Sequence, residues 1–184
     1  MGALKLLPPN RQFITSFIKM SIYNINMDKK LRVGWFSFTC CEDSTILFIE
    51  LLNQHYQDWL KKIDFVHARA LRRETNGELQ KMDVAFVEGA ISSDRQEEKL
   101  KKIREKTNIL IAVGSCACVG SPSNQRNFFN RENLDEIKPI LDKFKYKEKV
   151  LKLSEVVKVD ELIPGCPMNE EIFLRMMEKY LEIS

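Results

Sequence analysis

All five cysteines of this chain fall in three short stretches, each following an apolar run and flanked by Gly, Pro or Ser. The stretches are Thr39-Cys40-Cys41-Glu42-Asp43-Ser44, Gly114-Ser115-Cys116-Ala117-Cys118-Val119-Gly120 and Pro164-Gly165-Cys166-Pro167. A structural thiol usually sits inside a hydrophobic segment as a small apolar filler. Cysteines in turns stand instead where backbone N–H groups can face a bound anionic centre. A nucleophilic cysteine would need a histidine base, but His55 and His67 fall in a helical and an extended run with no thiol close in sequence. Both read as packing or surface residues. A C-x-x-C redox pair is absent. Structural zinc sites favour paired C-x(2–4)-C knuckles, whereas the spacing here is C-C, C-x-C and a lone Cys. An iron-sulfur cluster held by about four thiolates from scattered loops suits this pattern better. Incidental free thiols, the plain alternative, do not explain why all five follow strand-like runs.

The elements that must bring these loops together are those of one domain, since 184 residues can bury a proper core without staples. A net charge of +3, with no Lys/Arg run interleaved with aromatics, argues against a nucleic-acid groove. No window approaches the ~18–20 apolar residues of a membrane span. Residues 1–30 read as an N-terminal extension or partner-docking arm: Pro8-Pro9 interrupts them, no cleavage or twin-arginine pattern follows, and Met20 or Met27 is a plausible alternative start. The expected location is cytoplasmic. There thiols stay reduced, and a loop-borne set of odd number points to metal or redox chemistry rather than to disulfides.

From residue 31 the chain alternates strands and helices. Leu31–Phe38, Ile63–Ala68, Met82–Val87 and Asn108–Val113 are strand-like, the last apolar from Ile109 to Val113 as a central parallel strand should be. Val156–Val159 with Leu162-Ile163 leads into the last cysteine turn as a fifth strand. Asp43 or Ser44 can cap a helix running to Leu60, Ser93 or Asp94 a charged surface helix to Lys106, and Asn169 a closing helix over 170–181. Leu134–Phe144 is a further short helix. Pro122–Arg131 has no period, and a long polar loop beside a cysteine site marks a functional or partner surface. This is the pattern of an α/β fold with an open parallel sheet covered on both faces. Ligands of such sheets bind beyond the carboxyl ends of the strands, the edge where Cys40, Cys41, Glu88, Cys116, Cys118 and Cys166 all fall.

Four of these motifs in this order, Thr39-Cys40-Cys41-Glu42-Asp43-Ser44, Val87-Glu88-Gly89-Ala90-Ile91, Gly114-Ser115-Cys116-Ala117 and Pro164-Gly165-Cys166-Pro167, resemble the small subunit of cytoplasmic nickel-iron hydrogenases. They equally resemble the related 20 kDa iron-sulfur subunit of respiratory complex I, and the likeness spans roughly residues 31–182. It implies a flavodoxin-like three-layer fold over residues 31–184 and one proximal [4Fe-4S] cluster. It also implies a large subunit carrying the nickel-iron centre, with further iron-sulfur or flavin subunits beyond. Cys116 and Cys166, each in its family motif, are the implied ligands. No cysteine follows Cys166 and the C-x-x-C pairs of the nickel subunit are missing. The chain is therefore expected to hold one cluster, relay electrons and not split hydrogen alone.

The first motif departs from the hydrogenase C-x-x-C: Cys40 and Cys41 are adjacent, as in complex I. Adjacent side chains of an extended chain point to opposite faces, so joint ligation needs a distorted backbone, and Cys118 stays open as the fourth ligand if its loop is extended. The resemblance to the complex I type favours Cys40 with Cys41. Thr39, Glu88 and Ser115 are candidates to support the ligands. For Glu88 the plainer role is a helix cap or a lysine partner, and for Glu42 and Asp43 it is capping. Two other readings compete with a hydrogenase subunit, namely a complex I-like subunit passing electrons to quinone and a non-catalytic iron-sulfur binding or sensing module.

Overall fold

The computed structural model describes residues 30–71 and 78–183. The arm expected over residues 1–30 lies, but for Lys30, outside the described residues. Strands β1 (Leu31–Ser37), β2 (Ile63–Ala68), β3 (Met82–Glu88), β5 (Thr107–Val113) and β7 (Glu161–Ile163) form one sheet in the order β2-β1-β3-β5-β7, every pair parallel. Counted along this sheet the order is 2-1-3-4-5, that of flavodoxin-like folds, and it reverses between β1 and β3. The short fifth strand is three residues long; the expected Val156–Val159 segment is irregular and only Glu161–Ile163 pairs.

Helices cover both faces, giving three layers. On one side α1 (Asp43–Lys62) lays Phe48, Leu51, Leu52 and Trp59 on the sheet, and α5 (Glu170–Ile183) adds Phe173, Met177 and Tyr180. Trp35 of β1 stacks on Phe48 at 4.2 Å and meets Phe173 edge-on at 6.0 Å. Such pairs contribute about 0.5–1.5 kcal/mol each beyond area burial. The opposite side is closed by α2 (Asp94–Lys106), where only Leu100 and Ile103 are buried beneath an otherwise charged helix, and by the six-residue α3 (Gly114–Val119). Caps fall where the sequence places them on two helices: the Ser93 hydroxyl accepts from Gln96 N and the Asn169 side chain from Ile172 N. The helix α4 (Arg131–Phe144) starts three residues before the expected Leu134, because Asn130 caps it through Asn133 N.

A second, antiparallel pair, β4 (Ile91–Ser93) with β6 (Tyr146–Leu151), is not expected from the sequence. Of β6 only Val150 is buried, so its strand state comes from pairing rather than from an apolar pattern. The polar 122–131 loop contains a 3-10 turn, Gln125–Phe128, and is bonded to this pair. Arg126 donates to Lys147 O (2.7 Å) and Glu148 O (3.1 Å), and Asn127 exchanges two bonds with the Val150 backbone (2.7 and 2.8 Å).

Candidate metal centre

Beyond β1 the chain leaves the sheet but stays tied to its neighbour. Phe38 N donates to Glu88 O at 2.9 Å, and Thr39 and Ala90 bond each other in both directions at 3.0 and 2.9 Å. The approach is close enough to require glycine at 89, where φ is +92° and a Cβ would lie 2.9 Å from Thr39 N. The chain then bends at Cys40 and passes through a left-handed Glu42 (φ 66°) into α1. That distortion separates the tandem thiols. Cys40 packs with Cys116, Ala90 and Val150, whereas the ligand atoms of Cys41, Asp43 and Cys166 lie within 4.8 Å of one another. All four cysteines still line one shallow, open cleft, together with Glu88, Ser115 and Pro167.

The second cysteine stretch is helical, contrary to the expected loop. Residues two apart on a helix are turned by about 200°, so Cys116 and Cys118 part company. Cys118 does not line the cavity; it packs into the core beneath the sheet and donates to Ala112 O (3.5 Å) and Ile163 O (3.7 Å). Burial pushes its thiol up to about 11. The extended loop that would have turned Cys118 toward Cys116 is not formed.

Cys166 stands on a turn that only glycine permits, because Gly165 has φ +117° and a Cβ there would fall 2.5 Å from Pro167 O. Three bonds hold the cysteine stretches and the adjoining 122–131 loop together. Ser115 N donates to Gly165 O (2.7 Å), Met168 N to the Ser44 hydroxyl (3.2 Å), and the Ser123 hydroxyl lies 3.1 Å from Thr39 O. Thr39 is held in turn by Ser92 (2.7 Å) and by the Gln96 amide (3.0 Å). Of the residues expected to support the ligands, Thr39 and Glu88 bond through their side chains and Ser115 through its backbone N–H. Ser44, Ser92, Gln96 and Ser123 carry no sequence signal for this role. The residues they reach across the site, Met168 for Ser44 and Thr39 for the other three, are distant in sequence, and only the polar 122–131 loop points toward one of them.

Glu88 is 3% exposed and bonds the start of α1: its carboxylate accepts from Ser44 N, Thr45 N (both 3.1 Å) and the Thr45 hydroxyl (2.7 Å). The capping expected of Glu42, Asp43 or Ser44 is therefore supplied from β3, and Glu42 at the N-cap makes no side-chain cap bond. Burial first, and then the Glu88 charge, push the Cys40 thiol up to about 12. For Cys41 a hydrogen bond from the Asp43 backbone lowers the pKa, yet burial and the Asp43 carboxylate leave it raised. Both thiols are protonated at neutral pH until a metal displaces the proton.

The donor set suits a soft, thiolate-seeking centre. A single zinc ion holds sulfur at about 2.3 Å, but among the described residues the close ligand group contains two of the four thiols, and Cys40 and Cys116 do not join it. Four thiols spread around an open cavity fit a multi-atom cluster better than one ion.

Residues 40–180 match the family of the NADH ubiquinone oxidoreductase 20 Kd subunit. The chain is 26% identical to the NAD-reducing hydrogenase HoxS subunit delta of Cupriavidus necator, over 83% of this chain and 79% of that protein. It is 24% identical to an F420-non-reducing hydrogenase subunit of Methanothermobacter marburgensis, over 79% of this chain and 52% of that protein. The chain thus spans about half the length of the latter relative. Its fold superposes on a chain of a solved NAD+-reducing [NiFe]-hydrogenase with a TM-score of 0.71 at 22% identity, covering 83% of this chain and 92% of that one.

Proposed function

Because this chain belongs to the NADH ubiquinone oxidoreductase 20 Kd subunit family, we propose that it is the electron-transfer subunit of a nickel-iron hydrogenase, with Cys40, Cys41, Cys116 and Cys166 holding one [4Fe-4S] cluster. The observation that carries this reading is the meeting of four cysteines from three separate stretches at the carboxyl edge of the sheet, beside the reversal in strand order. When bound, such a cluster supplies one-electron transfer. The residues around it hold and shape the site. Glu88 fixes the start of α1 and hence Asp43 and Ser44. Thr39, Ser92 and Gln96 fix the approach to Cys40. The Gly165 turn presents Cys166.

The proposed partner is a large subunit carrying a nickel-iron centre, seated on the cysteine edge, with further iron-sulfur or flavin subunits passing electrons onward. Val119 and Phe128 are 61% and 80% exposed on the two segments that carry Cys116 and Ser123, and they give that face apolar contact area. Among the described residues no helix is long and apolar enough to cross a membrane. The free thiols suit a reducing compartment, and we place the protein in the cytoplasm. A complex I-like subunit passing electrons to quinone is the second reading, favoured by the tandem Cys40-Cys41 and by the subunit after which the family is described.

Anaerobic purification with metal and sulfide analysis tests the proposal. Roughly four iron and four sulfide per chain, with a nickel-containing partner in the same complex, support it. Stoichiometric zinc without sulfide overturns it, and a membrane partner without nickel favours the second reading.

A further inference from the structure

The geometry points to Ser123 as a potential-setting residue, its hydroxyl donating a hydrogen bond to the Cys116 sulfur, and this inference rests on the four-cysteine cluster reading. Ser123 Oγ lies 3.2 Å from Cys116 Sγ and 3.1 Å from Thr39 O. The hydroxyl has one proton for these two acceptors. With Cys116 as a thiol both contacts are satisfied in sequence, the S–H toward Ser123 and the O–H toward Thr39 O. With Cys116 as a metal-bound thiolate the sulfur can only accept. Its charge then makes it the stronger acceptor, and the Ser123 proton turns toward it.

Two further observations favour a tuning role over a chance contact. Among the described residues no other of the four thiols has a side-chain donor: Cys40 Sγ faces the Phe38 carbonyl at 3.8 Å, and Cys41 faces the Asp43 carboxylate. The serine is also held in place before any ligand arrives. Its loop is closed by Asn124 N to Gly120 O (2.9 Å) and clamped on β6 by Arg126 and Asn127. A preorganised donor does not have to be ordered when charge develops on the sulfur. One-electron reduction adds a negative charge shared by the cluster sulfurs, so the bond strengthens on reduction and favours the reduced form. No bond breaks in the step, and the electron comes from the chemical reductant of the titration.

The test is a redox titration of the full chain, purified anaerobically with its cluster and followed by low-temperature EPR, comparing wild type with Ser123→Ala and Ser123→Thr. Poised at the wild-type midpoint, the Ser123→Ala protein should show a reduced-to-oxidised ratio roughly tenfold lower, equivalent to about 59 mV for a one-electron couple. Ser123→Thr, which keeps the hydroxyl, should stay at the wild-type midpoint. An unchanged midpoint in Ser123→Ala, or equal shifts in both variants, overturns the inference and leaves the cluster reading intact. Ser123→Gly replaces the alanine variant if that one fails to hold iron. Loss of iron from both, with Ser123→Thr keeping it, shows an assembly role and overturns the tuning role. Wild-type chain without iron and sulfide sinks the cluster reading and this one with it.

Discussion

The Thr45 hydroxyl at the start of α1 donates a 2.7 Å hydrogen bond to the buried carboxylate of Glu88 at the end of β3, and it accepts one of 2.8 Å from the Trp35 indole. A core aromatic, a helix N-terminus and the edge of the thiol cavity are thereby joined through one acid. Glu88→Ala strands the Ser44 and Thr45 N–H groups and should cost about 2–3 kcal/mol in urea unfolding. Glu88→Gln keeps one carbonyl acceptor and should cost about 1 kcal/mol. It also removes the charge that, after burial, raises the Cys40 pKa. Alkylation of Cys40 in the metal-free Glu88→Gln protein should therefore extend to lower pH than in wild type. An unshifted pH profile would show that the charge does not reach the thiol.

The four cavity cysteines and Cys118 should separate cleanly. Alanine at 40, 41, 116 or 166 removes a proposed thiolate and should abolish the cluster, read as loss of iron and of the EPR signal after reduction. Cys118 faces the core, hydrogen-bonded to Ala112 O and Ile163 O. Cys118→Ala should keep its iron and lose only about 1 kcal/mol of stability, as for a small core truncation. Iron retained in Cys40→Ala or Cys41→Ala but lost in Cys118→Ala would reverse the assignment.

The main sheet is legible in the sequence because parallel strands buried on both faces read as continuous apolar runs, as Ile109–Val113 does. Once the strands are placed, topology puts every cysteine stretch on one edge. Which way each thiol turns is another matter. Gly114–Val119 is too short to show a helical period, so nothing local separates Cys116 from Cys118. Glu88 meets Ser44 across 44 residues, a capping partnership that no local signature announces. Tyr146–Leu151 is half charged and becomes a strand through Ile91, Arg126 and Asn127, all distant in sequence.

Phe128, 80% exposed on the same loop as Ser123, tests the partner face. Its side chain adds little to the fold, so Phe128→Asp should leave thermal stability within about 0.5 kcal/mol of wild type. Apolar surface that has lost its partner lowers solubility; the substitution should make the isolated chain more soluble and reduce recovery of the nickel-containing partner on affinity purification. Full recovery of the partner would move the interface away from this loop.

Lys147 carries the last prediction, because it fastens the unexpected strand β6 to the charged helix α2. Its ammonium lies 2.6 Å from Asp94 and 2.8 Å from Glu97, and Lys101 lies 2.6 Å from Glu97. The Lys101 and Lys147 hydrogen bonds pull the Glu97 carboxyl down to about 2 from the usual carboxylate range. A depressed folded-state pKa stabilises the fold above the unfolded value, so this contribution is present above about pH 4.5 and fades as pH falls toward 2. The Lys147 pKa is raised by Asp94 and Glu97, so its share is held through neutral pH and lost at alkaline pH above the ordinary lysine range. All four groups are partly solvated, and screening limits the network to about 0.5–1 kcal/mol. Lys147→Met should thus lower stability by that amount at pH 7 and by nearly nothing at pH 2, with the gap at pH 7 narrowing in high salt. A gap independent of pH and salt would assign the loss to the packing of the lysine stem instead.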